Sequence, residues 1–179
     1  LTDGLRAERE QGITIDVAYR YFSTAERSFI LADCPGHVQY TRNMVTGSAT
    51  ADAVVVLIDA RKGVLEQTRR HLSVVALLRV PNVIVAINKI DLVDFSESVY
   101  NDILEQLKQV TVELGLERVH AIPVSALEGD NVVERSTKTP WYAGPTVIEL
   151  LETLPAIDEL ESDNDPFRFP VQLIIRPQG

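Results

Sequence analysis

Short apolar runs and longer amphipathic stretches alternate along this chain, and the alternation sets the elements it predicts. ITIDVAYRYF (13–22) and RSFILAD (27–33) read as strands joined by the polar turn STAE, and together as an antiparallel hairpin. AVVVLID (53–59), NVIVAIN (82–88) and VHAIPVS (119–125) are rich in β-branched residues and of strand length. Runs that are apolar at every position suit a parallel sheet covered by helices on both faces. Helices are predicted between them. LEQTRRHLSVVALLR (65–79) is one; the best defined runs over 96–114, where Val99, Ile103, Leu107, Val110 and Leu114 share a face. Asp94, with Glu97 three residues on, reads as its capping box, and Gly115 as its stop. PTVIELLETL (145–154) reads as a last helix, with Pro145 at its first position and Pro155 ending it. Strands separated by helices in this order predict an α/β fold with a mostly parallel sheet.

The pattern then changes. PAIDELESDNDP (155–166) carries five acids and no base and reads as an acidic linker. FRFPVQLII follows with period two, Phe167, Phe169, Val171, Leu173 and Ile175 falling on one side. The chain therefore reads as an α/β domain over 1–154, a linker over 155–166, and the start of a β-rich domain over 167–179. No internal repeat interrupts this order.

Composition adds bounds. A length of 179 residues, 45% hydrophobic and 24% charged, suits one domain with its own core. No apolar run approaches the 18 residues of a membrane span. The first residues, LTDGLRAEREQG, are polar, unlike a signal peptide, and their lack of an initiator Met predicts a start in mid-protein. A lone Cys argues against a disulfide scaffold and fits a reducing cytoplasm. A net charge of −9 with no Lys/Arg run predicts no general affinity for nucleic acid.

Three short signals each follow a predicted strand: DCPG at 33–36, NKID at 88–91 and VSAL at 124–127. Ligands of open α/β sheets bind beyond the carboxyl ends of the strands, which is where all three fall. NKID alone reads equally as a turn with a helix cap; three signals in order, each at a strand end, point to one site. Cys34 reads as an inert thiol, since no His or Asp pattern supports a thiolate nucleophile. His37, His71 and His120 lack metal-ligand spacing, and His71, in RRH (69–71), reads as part of a solvated helix face.

With GITI (12–15) upstream, these motifs make 1–154 resemble the translation-factor class of GTPases, a P-loop NTPase-like fold followed by β-barrel domains. The resemblance implies GTP or GDP and Mg²⁺ as ligands. Thr14 and Asp33 would then hold Mg²⁺, Asp33 through a water. Gly36 would offer its N–H to the γ-phosphate, where a residue without a Cβ lets a phosphate approach the backbone. His37 would orient the attacking water, the kind of help phosphoryl transfer needs. Asn88 and Asp91 would read guanine, whose two adjacent N–H groups suit a carboxylate; adenine lacks that pair. Lys89 would lay its stem across the base. Ala126 would give its N–H to the guanine oxygen, with Ser125 shaping that loop and Leu127 completing it.

Within that class, AEREQGITIDVAYRYF (7–22), DCPGHVQYTRNMVTGSATAD (33–52), IDARKGVLEQTRRH (58–71) and FRFPVQLIIRP (167–177) look more like the GTPase subunit of bacterial heterodimeric ATP sulfurylase than like elongation factors. That family couples GTP hydrolysis to formation of adenosine 5′-phosphosulfate and pyrophosphate from ATP and sulfate on a small adenylyltransferase subunit. In some bacteria an adenylylsulfate kinase is fused to it. Two other readings remain open: an elongation factor delivering aminoacyl-tRNA, and a non-enzymatic interaction module.

One departure stands out. The family's phosphate loop, Gly-x-x-x-x-Gly-Lys-Ser/Thr, and its strand do not occur: no Gly here is followed by Lys, and only Gly4 and Gly12 precede the DCPG segment. The loop supplies most donors to the β-phosphate. Its absence predicts that these 179 residues alone hydrolyse GTP poorly. The missing strand would lie between those at 27–33 and 53–59, whose edges are then expected to be open to pairing.

Overall fold

The structure, a computed structural model, describes Thr14 and residues 16–157. The first two strands form the expected hairpin: β1 (Ala18–Ser23) pairs antiparallel with β2 (Ser28–Asp33), from Ala18 opposite Asp33 to Ser23 opposite Ser28. Thr24 closes the turn, its N–H donating to the Arg27 carbonyl at 2.9 Å, and Phe22 stacks on Phe29 with ring centroids 4.8 Å apart. The strand begins at Ala18, later than the apolar pattern from 13 suggested. Asp16 Oδ1 accepts the Val17 N–H at 2.8 Å, a local bond that competes with a ladder.

The main sheet is parallel, in the order β3 (Ala53–Asp59), β4 (Asn82–Asn88), β5 (Val119–Pro123). β4 lies in the middle and is buried from Asn82 to Ile87, which is why its sequence shows no alternation. Four helices are described. α1 (Thr41–Ser48) follows a short 3₁₀ turn at Val38–Tyr40; α2 (Glu66–Leu78) joins β3 to β4; α3 (Glu97–Leu114) joins β4 to β5; α4 (Val147–Thr153) closes the domain. On one face of the sheet Val83, Val85 and Ile87 meet Leu72 and Val75 of α2 and Ile103, Leu107 and Val110 of α3. On the other, Ile84, Ala86 and Ile122 meet Leu150 and Leu154 at the end of the chain's last described helix. Each fully buried side chain of this kind contributes about 1.5–3 kcal/mol.

Three local expectations are corrected. Asp94 does not cap α3: Asp94 and Phe95 take left-handed backbone angles (φ 53° and 51°), with the Phe95 carbonyl bonded by Trp141 Nε1 at 3.0 Å. The chain re-enters helix two residues later, where Ser96 Oγ accepts the Val99 N–H. Pro145 precedes α4 rather than opening it; Thr146 is the cap, in a reciprocal pair with Glu149. β5 ends at Pro123, after which Ser125 turns into a loop through its N–H to the Asp130 carbonyl. α1 was not anticipated at all. Its eight residues, TRNMVTGS, carry too few apolar positions to show a period, and it is held by burial of Met44, Gly47 and Ser48.

Among the described residues β2 and β3 belong to separate sheets, and no strand joins them. Val55 and Leu57 of β3 and Ile30 and Leu31 of β2 are exposed. The linker from 158 onward and the strand read at 167–175 lie outside the described residues.

Candidate functional site

The loops leaving β4 and β5 are fastened to each other by one side chain. Asn88 Oδ1 accepts the Lys89 N–H at 2.7 Å and the Ala126 N–H at 3.0 Å. Backbone bonds complete the join: Val124 N–H to the Ile87 carbonyl at 2.9 Å, Ile90 N–H to the Val124 carbonyl at 3.2 Å, and Ala60 N–H to the Asn88 carbonyl at 2.8 Å. The ends of β3, β4 and β5 are thus tied together. Asn88 spends its carbonyl on these contacts, which leaves its NH₂ as the donor a ligand could take. Lys89 adopts φ 63° and turns the chain into the 3₁₀ segment Ile90–Val93, where Asp91 stands half-buried. Ser125 is fully buried, its Oγ accepting the Glu128 N–H at 3.3 Å, while Ala126 and Leu127 are exposed on the loop it holds.

Beside them is a charged cluster the motifs did not announce. Asp59, at the end of β3, takes Arg61 Nε and Nη2 at 2.9 and 2.6 Å and Lys89 Nζ at 3.0 Å. The Arg61 fork, helped by Lys89, holds the Asp59 carboxyl well below the usual carboxylate range against the opposing effect of burial. Asp59 thereby anchors the Lys89 stem over this edge. The signal was present in the sequence as a strand-ending acid with Arg two residues on.

The second group of residues leaves β2. The register that sets Ala18 opposite Asp33 puts the chain entering β1, with Thr14, at the same end as the chain leaving β2. Asp33 and Thr14 are half-buried, and His37 is exposed, its carbonyl accepting the Tyr40 N–H at 2.9 Å. Cys34 is half-buried, and burial, with the charge of Asp33, pushes its thiol up, in line with an inert reading. Gly36 is exposed, and a Cβ built there would make only ordinary contacts, 3.7 Å to Gln67 and 3.8 Å to His71. The fold itself therefore has room for a side chain at 36.

His71 corrects the sequence reading. It is half-buried rather than solvated: its Nε2 lies 3.0 Å from the Gly36 carbonyl, which Gln67 Nε2 also bonds. Burial lowers the His71 pKa, opposed by that bond. The other basic groups of RRH do face outward, Arg69 pairing with Glu113 at 3.4 Å. Because α2 begins seven residues after Asp59, the bond from Gln67 and His71 brings the Asp33–His37 loop to the same edge as Asp59, Asn88 and Ala126. The i, i+4 spacing of Gln67 and His71 was visible in the sequence, but its target was not.

The donors fit a hard cation. Thr14 and Asp33 offer oxygens, and Mg²⁺ takes one or two such groups and completes its shell with water and phosphate. Among the described residues no three His, Cys, Asp or Glu side chains gather to hold a metal unaided. No described helix is long and apolar enough to cross a membrane.

Known proteins resemble this chain in sequence and in fold. The family model for the elongation factor Tu GTP binding domain matches residues 1–160. Sulfate adenylyltransferase subunit 1 of Bacteroides fragilis (strain YCH46) is 56% identical over 179 residues, 99% of this chain and 37% of that protein. The chain thus spans little more than a third of that relative's length. Among solved structures, that of Sup35 complexed with GDP matches with TM-score 0.62 at 31% identity over 75% of this chain and 34% of that one. The S. cerevisiae Ski7 GTPase-like domain bound to GTP matches in fold, with TM-score 0.73 and 21% identity over 89% of this chain and 39% of that one. Matched by that family model over residues 1–160, this α/β chain belongs to the elongation factor Tu GTP-binding domain family.

Proposed function

We propose that this chain is the guanine-nucleotide portion of a GTPase subunit of sulfate adenylyltransferase, in which GTP hydrolysis drives formation of adenosine 5′-phosphosulfate and pyrophosphate from ATP and sulfate. The observation that carries the nucleotide reading is the Asn88 bridge, which ties the Asn88–Asp91 loop to the Ser125–Leu127 loop at the ends of β4 and β5. The 56% identity to a sulfate adenylyltransferase subunit 1 supports the choice of reaction.

In this reading Asp91 accepts the two guanine N–H groups, Asn88 donates its amide, and Lys89 packs along the base with its charge on Asp59. The Ala126 N–H exchanges its bond with Asn88 for one to the guanine oxygen, on a loop shaped by Ser125 and Leu127. A base pocket of paired hydrogen bonds rejects an analogue lacking them by about 10⁴–10⁵. Thr14 and Asp33 hold Mg²⁺, which supplies charge neutralisation on the phosphates. Gly36 donates its N–H to the γ-phosphate, and His37 orients water for in-line attack. The product is GDP and phosphate. The second reactant pair belongs to a small adenylyltransferase subunit in the cytoplasm, and an adenylylsulfate kinase, where one is fused to such a subunit, would consume the product.

The test is coupled turnover. The full-length gene product, its candidate small subunit, ATP, sulfate and pyrophosphatase are mixed, and adenosine phosphosulfate is followed with and without GTP. GTP-dependent product that is lost in His37→Ala supports the reading. Intact GTP binding with no effect of GTP on that product would move the protein to a translation-factor role. Asp91→Asn, which presents a donor where the carboxylate accepted, is expected to weaken GTP and favour xanthosine triphosphate; unchanged preference would remove Asp91 from the base pocket.

A further inference from the structure

We propose that Gln67 and His71 are positioning residues for His37: two prongs from α2 that fix the peptide joining Gly36 to His37. The proposal rests on the reading of His37 as the group that orients the attacking water.

Both side chains reach the same oxygen. Gln67 Nε2 and His71 Nε2 bond the Gly36 carbonyl, His71 at 3.0 Å. A carbonyl oxygen has two lone pairs and only accepts, so both prongs donate, and His71 carries a proton on Nε2. Half-burial favours the neutral ring. The peptide is planar, so fixing its oxygen fixes the direction of the His37 N–H and the placement of the His37 Cα. Glycine is the most permissive residue of the backbone, and Gly36 has no side chain to restrain this peptide. The exposed His37 side chain has no hydrogen bond of its own among the described residues. Its placement is therefore left to the peptide that carries it.

The prongs stand on a rigid support. They are one helical turn apart on one face, next to Thr68 and Leu72, which are buried at 7% and 0% exposure. Val75, one turn further on, is also fully buried. A group held by packed helix side chains is located more tightly than one held by a loop. The geometry gives His37 a fixed origin at the sheet edge, while its ring stays free to meet water.

The experiment uses the gene product with its partner subunit, and reads single-turnover GTP hydrolysis beside GTP affinity for Gln67→Ala, His71→Ala, His71→Gln and each of these in a His37→Ala background. Gln67 is exposed, so its variant is the one least able to disturb folding. The expected result is a hydrolysis rate about 10- to 100-fold lower for the alanine variants, since small misplacement of a catalytic group costs on this scale. GTP affinity stays within about threefold, His71→Gln, which keeps a donor, recovers most of the rate, and no further loss appears once His37 is gone. Hydrogen exchange of residues 37–40 is expected to rise in His71→Ala. Equal losses with and without His37, affinity falling in step with rate, or unchanged exchange would each overturn the clamp. A His37→Ala enzyme at full hydrolysis rate would overturn the reading of His37 itself, which is a separate result.

Discussion

Gly47 shows what a single residue decides in this fold. A Cβ at that position would overlap Cys34 Sγ and press on Val17 Cγ1 at 3.4 Å, so α1 can lie against the start of the Asp33–His37 loop only because residue 47 has no side chain. Gly47→Ala is expected to cost about 1–3 kcal/mol, the range for overpacking a close contact. A thermal melt measures it, and Cys34→Ala in the same chain is expected to return part of the loss. A Gly47→Ala melt equal to that of the parent would show that the contact yields without strain. Gly36 contrasts with it. Its neighbours have room, so packing does not require a glycine there. No pattern of apolar residues separates these two glycines; only the distances around each do.

At the scale of elements, the ends are set by side chains the apolar pattern cannot see. α3 lies almost where its period put it, because Ile103, Leu107 and Val110 bury on the sheet whatever happens at the cap. Its start moved to Ser96 because two left-handed residues turn the chain ahead of it. α4 is only seven residues long, too short to persist without support, and its reciprocal Thr146–Glu149 bonds satisfy two of its first N–H groups. The Thr146 N–H bond, with Arg135 adding, holds the Glu149 carboxyl below its ordinary range. Thr146→Ala is expected to destabilise the domain by about 1 kcal/mol and Thr146→Ser by much less, read from chemical denaturation midpoints. Equal midpoints for the two variants would show that the buried Thr146 acts through packing and not through its hydroxyl.

At the scale of the molecule, the described residues form two sheets linked by a helix. α2 binds the β3–β4–β5 sheet through Leu72 and Val75 and the β2 loop through Gln67 and His71. Between the sheets, β2 and β3 each carry an edge with no partner strand among the described residues, and Leu57 is 65% exposed beside Val55 at 41%. An open apolar edge pairs with other edges. The 179-residue chain is therefore expected to associate with itself, and Leu57→Lys, at an exposed site that folding does not need, to shift it toward the monomer. Sedimentation velocity over a concentration series decides this; a parent chain that stays monomeric would show these edges to be covered in solution.

The sequence by itself determined the α/β order, the parallel strands and the three strand-end motifs, because each rests on short-range pattern: β-branched runs, a 3.6-residue period, and polar residues where strands stop. It also named the residues of the candidate site, by resemblance more than by spacing. Tertiary structure alone decided which of them meet. Asn88 reaches Ala126 across 38 positions and His71 reaches Gly36 across 35, and such contacts depend on how strands and helices stack, not on neighbours in the chain. For the same reason Asp59 and Arg61 entered the site and His71 left the solvent. Their partners lie on other strands and loops: Lys89 after β4 for Asp59, and Gly36 after β2 for His71.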